Sequence, residues 1–395
     1  MNKVLILATT AAMIEQFNMP NIDLLQELGF EVQVACNFRN GNPISNDQIT
    51  LFQEILKEKN VKYHQVELTR KIVKIFTNLK AFKQADSILK EEDFKFVHCH
   101  TPVGGVCGRI IGHRNNVNVI YTAHGFHFYK GAKLVNWLLY YPIEKLLSKY
   151  TSHLITINEE DYNATFERSF KAKNVSLFPG AGINLERFTP CTQSEKNELR
   201  KEYGYNEKDF ILIHVAELNK NKNQELVVRA VSKIRSEIPD LKLLLVGIGS
   251  MENEYKKLCK TLHIEDRVIF LGYRTDVQNL MKVANVGVSA SYREGLPVNV
   301  MEAMATGLPL VVTNCRGNRD LITHEKNGFL IKQDDIVGFS KAIKTLYQDE
   351  CLREKFSCQN KADIQTYDAK NIMRLTKQVY ISEMDDSTAH EKFRK

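Results

Sequence analysis

The run VGVSASYREGLPVNVMEAMATGLPLVVT, residues 286–313, reads as a strand, a loop, a helix and a second strand. Val286 to Ala290 and Leu310 to Thr313 are short apolar runs of strand length. Between them a glycine-containing loop, Ser291 to Pro297, opens a helix, with Pro297 where proline favours the first helical turn. Gly307 ends that helix and Pro309 stands just beyond it. A strand that crosses through a helix to another strand makes a right-handed β-α-β unit, and the two strands are then parallel.

Outward from this unit the same alternation covers the chain. Strand-like runs occur at Val4 to Ala8, Glu31 to Cys36, Phe96 to Cys99, Val117 to Thr122, Leu154 to Ile157 and Val175 to Phe178. They resume at Phe210 to Val215, Lys242 to Val246 and Val268 to Leu271, with amphipathic helix-length stretches between them. Parallel sheets covered by helices on both faces are the expected result. Gly180, Gly182 and two prolines interrupt the pattern between Pro179 and Pro190, and a charged helix starts at Ser194. At 395 residues the chain exceeds one core, at roughly 100 to 200 residues per domain. The expected α/β architecture is two facing doubly wound Rossmann-like domains, 1–185 and 186–370, with a central cleft at the carboxyl ends of their strands. Residues 371–395 form a C-terminal helix and frayed tail able to pack back on the first domain.

Composition excludes several classes. A 43% hydrophobic and 26% charged chain is neither disordered nor fibrous. The apolar run after Met1 is too short for a signal peptide, and no stretch approaches the ~20 apolar residues of a membrane span. Eight cysteines without a C-x-x-C pair fit a reducing cytoplasm rather than a disulfide framework. The net charge of +7 is modest, and the basic residues do not follow a nucleic-acid motif, so no nucleic-acid partner is expected. Arg70, Lys71, Lys74, Lys80 and Lys83 accompany Ile72, Val73, Ile75, Phe76, Leu79 and Phe82 without an acidic residue. That pattern suits a helix lying on an anionic membrane surface, or equally a surface helix whose apolar stripe enters the core. The stretch from Tyr129 to Tyr141 carries the same two readings.

Several residues stand where chemistry is expected. Backbone N–H groups around Leu296 and Val298 point out of the sheet edge, ready for a phosphate. Glu294 and Glu302 accept hydrogen bonds and suit a hydroxyl-rich ligand, although a loop glutamate is often merely solvated and a helix glutamate merely satisfied. His124 follows a strand at its carboxyl end. His98 and His100 share one strand face, but no carboxylate or cysteine pair completes a metal site, and none is expected. Gly247-x-Gly249 lacks a third glycine and does not define a dinucleotide site.

Two glutamates separated by seven residues, with Gly295-Leu296-Pro297 after the first and Glu302-Ala303-Met304-Ala305 at the second, resemble the E-x7-E signature of glycosyltransferase family 4. The chain also resembles this family of retaining, GT-B-fold enzymes at Pro179 to Phe188, at Leu244 to Gly249 and at Phe270 to Val277. The resemblance implies that Glu302 holds the ribose hydroxyls of a UDP-sugar, that Glu294 holds the transferred sugar, and that Lys222 meets the diphosphate. It places Gly247 beside the nucleotide, Arg274 in the stretch whose backbone holds the base, and His124 beside donor sugar and acceptor. Glu217 stands where the family usually has a second phosphate-binding cation, with Lys220 and Arg293 as substitutes. The run Glu217 to Asn223 is similar to a variant among capsular and exopolysaccharide transferases. The glycine-rich loop after the first strand is replaced by Thr9-Thr10-Ala11-Ala12, and Asn18 occupies a position where histidine is common. No Asp-x-Asp occurs, so the resemblance implies a metal-independent hexosyltransferase without a cofactor, working by front-face attack. The acceptor expected is a polyprenyl-diphosphate-linked saccharide, met by a cytoplasmic enzyme peripheral to the inner face of the cell membrane. A nucleotide-sugar epimerase of the same fold and a catalytically silent member of a polysaccharide assembly complex are the alternatives.

Overall fold

The computed structural model describes residues 2–42, 44–70 and 72–391, with side chains of the final helix described to Met384. Lys71 of the basic segment and the end of the polar tail lie outside the described residues. The chain divides into two compact units. The first takes in the described residues through Ala181 and those from Lys370 onward, and the second is Gly182–Ala369.

In the first unit, strands β1 (Lys3–Thr10), β2 (Glu31–Asn37), β3 (Lys62–Gln65), β4 (Phe94–His100), β5 (Asn118–Ala123), β6 (His153–Thr156) and β7 (Asn174–Leu177) form a seven-stranded sheet. Its order is β3-β2-β1-β4-β5-β6-β7, every pair parallel. The second unit holds β8 (Phe210–Val215), β9 (Leu241–Val246), β10 (Val268–Gly272), β11 (Val286–Ser289), β12 (Leu310–Thr313) and β13 (Gly328–Ile331). Their order, β10-β9-β8-β11-β12-β13, is also wholly parallel. The direction of winding reverses between β1 and β4 and between β8 and β11, the points at which doubly wound sheets bind ligands.

The central strands are near-continuous apolar runs because helices bury both of their faces. Two strands escaped the sequence reading, and both are sheet edges. β3 is the polar, half-exposed Lys-Tyr-His-Gln, and β13 carries only three apolar residues after its glycine. An edge strand has one neighbour, so its composition needs less apolar surface.

One face of the first sheet packs Ile14, Ile22, Phe52 and Leu56 with Tyr380 of the C-terminal helix. On the other face lie the helices Ile75–Glu91, Pro102–Asn115 and Leu134–Ser148, which share one apolar cluster. In the basic segment the apolar residues divide between core and solvent. Ala81, Ala85, Ile88 and Leu89 enter the core, whereas Val73, Ile75, Phe76 and Leu79 are exposed, Phe76 by 90%.

A buried ion pair joins two of these helices. Arg109 Nη1 meets Glu144 Oε2 at 2.8 Å, with side chains 1% and 6% exposed. The guanidinium lies 4.2 Å from the centre of the Tyr121 ring, and its Nε donates to the Gly105 carbonyl at 2.8 Å. Removing one member strands the other charge in the core, at a cost of about 3–5 kcal/mol. Trp137, the chain's one tryptophan, lies on the same helix as Glu144 and reports on this unit. Urea unfolding followed by its fluorescence is expected to show Glu144→Ala destabilised by about 3–5 kcal/mol, and the double change Arg109→Met/Glu144→Leu by clearly less.

Candidate active site

In the second unit the loops after β8 to β12 all leave the sheet at its carboxyl edge, so residues distant in sequence meet there. Lys222, after β8, donates from Nζ to Glu294 Oε1 at 2.6 Å. The loop carrying Glu294 is held along its length. The Tyr292 N–H donates to the Asn221 carbonyl at 2.8 Å, and Asn221 Nδ2 donates to the Arg293 carbonyl at 3.0 Å. Thr313 Oγ1 donates to the Ser291 carbonyl at 2.6 Å, and Arg316 Nε to the Glu294 carbonyl at 3.1 Å. Gly317 has φ of 81°, and a Cβ there would stand 2.7 Å from the Gly295 carbonyl oxygen, so glycine lets the next loop press on Gly295.

The helix Val298–Ala305 starts at Pro297, which occupies the cap position itself and leaves the first turn without a side-chain cap. The N–H groups of Val300 and Met301 turn back to the Pro297 carbonyl. Those of Leu296 and Val298 take no acceptor among the described residues, as a phosphate site requires. At its far end Leu308 N–H reaches the Ala303 carbonyl and Gly307 N–H the Met304 carbonyl, a Schellman closure.

Glu302 is half-buried on this helix and has no side-chain hydrogen bond among the described residues. Burial pushes its carboxyl up to about 7, with Arg187 pulling the other way. Arg187 itself donates from Nη2 to the Thr275 carbonyl at 2.9 Å and to Gln278 Oε1 at 3.2 Å.

Arg274 is committed to its neighbour. Its Nε and Nη2 donate to Asp276 Oδ1 and Oδ2 at 2.8 and 2.5 Å, and Tyr203 OH adds a bond of 2.6 Å to Oδ2. Those bonds, Arg274's first, hold the Asp276 carboxyl well below its usual range. These bonds tie the loop around Arg274 to Asp276 and Tyr203. Gly247 has φ of 134°, and a Cβ there would collide with the Ala216 carbonyl oxygen at 2.1 Å. The turn after β9 thus lies directly against the loop that carries Glu217, Lys220 and Lys222. Glu217 and Lys220 are exposed and Arg293 is half-buried.

In the first unit His124 follows β5 and shares a hydrogen bond of 3.2 Å between its Nε2 and His100 Nδ1. Burial lowers His124 to about 4, so its ring is neutral at physiological pH. His98 bonds Tyr380 OH and Thr122 Oγ1, each at 2.8 Å. Asn18 is fully buried, donating to the Met13 carbonyl at 3.1 Å and accepting from Asn21. Among the described residues no group of three or more histidine, cysteine or carboxylate side chains is arranged to hold a metal ion.

Residues 195–363 match the family described as glycosyl transferases group 1, and residues 3–158 match glycosyl transferase 4-like. EpsD of Bacillus subtilis (strain 168), a "Putative glycosyltransferase", is 36% identical over 389 residues, which span 98% of each chain. The chain belongs to glycosyltransferase family 4. Another family relative is the Escherichia coli "UDP-Gal:alpha-D-GlcNAc-diphosphoundecaprenol alpha-1,3-galactosyltransferase", 28% identical over 355 residues and 88% of each chain. Anabaena HepE in complex with UDP-glucose superposes with a TM-score of 0.76 at 19% identity, over 96% of this chain and 99% of that one. WaaG, a glycosyltransferase involved in lipopolysaccharide biosynthesis, does so with 0.73 at 16% identity, over 95% and 99%. These likenesses carry the GT-B fold, and both Rossmann-like units of this family member conform to it.

Asn221, Arg316 and Arg187 were not singled out from the sequence. Asn221 lies in a run of asparagines and lysines with no period to mark it, and Arg187 lies within the linker segment. Arg316 follows a strand at its carboxyl edge, which was the available signal.

The Glu302 carboxyl titrates near its ordinary 4.5 in the unfolded chain and near 7 in the folded one. The folded state therefore binds more protons between those values, and stability falls as pH rises from about 4.5 to 7 and is level above. Glu302→Gln should lack that slope. Denaturant unfolding across this range, read by far-ultraviolet circular dichroism, checks it, and parallel pH profiles for the two proteins would refute the shift.

Proposed function

We propose that this glycosyltransferase moves a hexose or N-acetylhexosamine from a UDP-sugar to a polyprenyl-diphosphate-linked saccharide, retaining anomeric configuration, in assembly of a capsular or exopolysaccharide. The observation that carries the reading is the meeting of Lys222 with Glu294 at 2.6 Å, on the same sheet edge as the uncapped helix that bears Glu302. A cation and free N–H groups suit a diphosphate, and the two carboxylates suit sugar and ribose hydroxyls.

In the reaction the bond between the anomeric carbon and the diphosphate oxygen breaks, and UDP leaves with the electron pair. The acceptor hydroxyl oxygen bonds to the anomeric carbon from the same face, and its proton passes to the departing phosphate oxygen. Stabilising the charge that develops on that phosphate lowers the barrier most, and Lys222 with the helix N-terminus does so without a metal ion. Glu294 turns the Lys222 ammonium toward the site and accepts from the transferred sugar. We assign the second unit the nucleotide sugar and the first unit the acceptor, with His124 as a polar contact to sugar hydroxyls.

Relatives named for diphosphoundecaprenol substrates support the acceptor. On one layer of the first unit, the exposed Ile75, Phe76 and Leu79 and the exposed Leu134 and Leu138 are accompanied by Lys74, Lys83, Lys130 and Lys133. Such a surface suits the anionic inner leaflet, where each cation contributes about 1 kcal/mol. We therefore place the enzyme at the cytoplasmic face of the membrane.

Glu217 supports one further reading, a silent partner in a polysaccharide assembly complex, because it removes a phosphate-binding cation. UDP release from a panel of UDP-hexoses and UDP-N-acetylhexosamines, with and without lipid-linked acceptors, separates the two. Acceptor-dependent release from one donor is expected, undiminished by EDTA and lowered by about 10²-fold or more in Glu294→Ala. UDP binding without release from any donor would favour the silent partner. Cosedimentation with anionic vesicles should weaken in Phe76→Glu/Leu138→Glu, and a protein that stays in the supernatant at low salt would sink the membrane assignment.

A further inference from the structure

The first unit carries three histidines in contact that the proposed transfer uses only at one end. The His98 and His100 rings lie 4.2 Å apart, and His100 and His124 5.4 Å apart. Burial is the main cause that depresses all three, His98 to about 3, His124 to about 4 and His100 well below its ordinary value. Each ring is therefore neutral and holds one proton, which sits on one nitrogen or the other.

The bonds around His100 decide which. Its Nδ1 is 3.2 Å from His124 Nε2, so one of these two nitrogens donates to the other. Its Nε2 is buried and has no partner among the described residues. His98 cannot serve it, because both His98 nitrogens are engaged by Tyr380 and Thr122. If His124 donated, the His100 proton would sit on Nε2 as a buried N–H without an acceptor. Orphaned buried N–H groups are rarer in folded proteins than under-used acceptors. With the proton on Nδ1, His100 donates to His124 and leaves only a lone pair unmatched.

We propose that His100 is a positioning residue that holds His124 in the tautomer protonated at Nδ1. The Nδ1 of His124 makes no bond to any described residue and, unlike His100 Nε2, is not fully buried, so in this state it can present an N–H to a bound ligand. His124 then donates to an oxygen of the acceptor saccharide, and it does not act there as a base. The tautomer stands on the hydrogen-bond geometry and the neutrality of the buried rings, whereas its kinetic consequence rests on the transferase reading.

Full-length protein labelled with ¹⁵N in the histidine rings tests it at neutral pH. Long-range ¹H–¹⁵N correlation distinguishes protonated from bare ring nitrogens, and the His124 signals are those lost in His124→Gln. The expected pattern has the proton on Nδ1 of His124. In His100→Leu it should move toward Nε2, the site that free neutral imidazole side chains favour. In His100→Asn, whose amide replaces the Nδ1 donor, it should return. A parent protein with His124 protonated on Nε2, or a folded His100→Leu with an unchanged pattern, overturns the proposal. Should His100→Leu fail to fold, the parent and His100→Asn spectra decide alone. With the lipid-linked acceptor, kcat/KM should fall about tenfold in His100→Leu and recover in His100→Asn, the size of one neutral hydrogen bond. The expected spectrum without turnover would count against the transferase reading and leave the tautomer standing.

Discussion

Every strand pair in both sheets is parallel, and that constraint governs where functional residues can gather. A parallel sheet needs a crossover after each strand, so each strand ends in a loop at the same edge. In the second unit this brings Lys222, Gly247, Arg274, Glu294 and Arg316 to one edge, although about a hundred residues of chain separate the first from the last. No local interaction along the chain could gather them. The central strands must also be apolar on both sides, which is why they read clearly in the sequence.

Within that edge the charges are arranged unevenly. Arg274 and Asp276 satisfy each other, so both charges are already committed. Lys222 and Glu294 also form a pair, but of partly open groups that can share their bonding with a ligand. Glu302 has no cation bonded to it among the described residues, and burial raises its carboxyl to about 7. A carboxyl in that state is costly to the fold and useful to a site. The three cases differ only in which partner lies within reach, and that is a property of the packed edge.

Near the carboxyl edge of the first unit, buried histidines are linked to one another, to Thr122 and to Tyr380 from the returning C-terminal helix, and the buried Asp161 carboxylate accepts from the Phe126 N–H. On the opposite layer two helices leave their apolar first turns exposed while their later turns enter the core. The Arg109–Glu144 pair fixes one of those helices beside its neighbour, so the exposed surface is held by a buried contact.

The sequence by itself determined the alternation of strands and helices, the two units, and the family, because continuous apolar strands and the spacing of Glu294 and Glu302 are local patterns. It passed over β3 and β13, whose edge positions ask little of their composition, and placed the other strands to within a residue or two at most ends. It also named Lys222 and Glu294 separately. Only the tertiary structure decided that these two touch, that Arg316 and Asn221 fix the loop between them, and that Arg187 lies near enough to Glu302 to oppose its shift. Likewise, His98 and His100 are plain strand residues in the sequence, and it takes β5 and the C-terminal helix to decide which nitrogens are occupied. Periodicity is written residue by residue along the chain, whereas protonation and pairing depend on which groups burial brings within a few ångströms of each other.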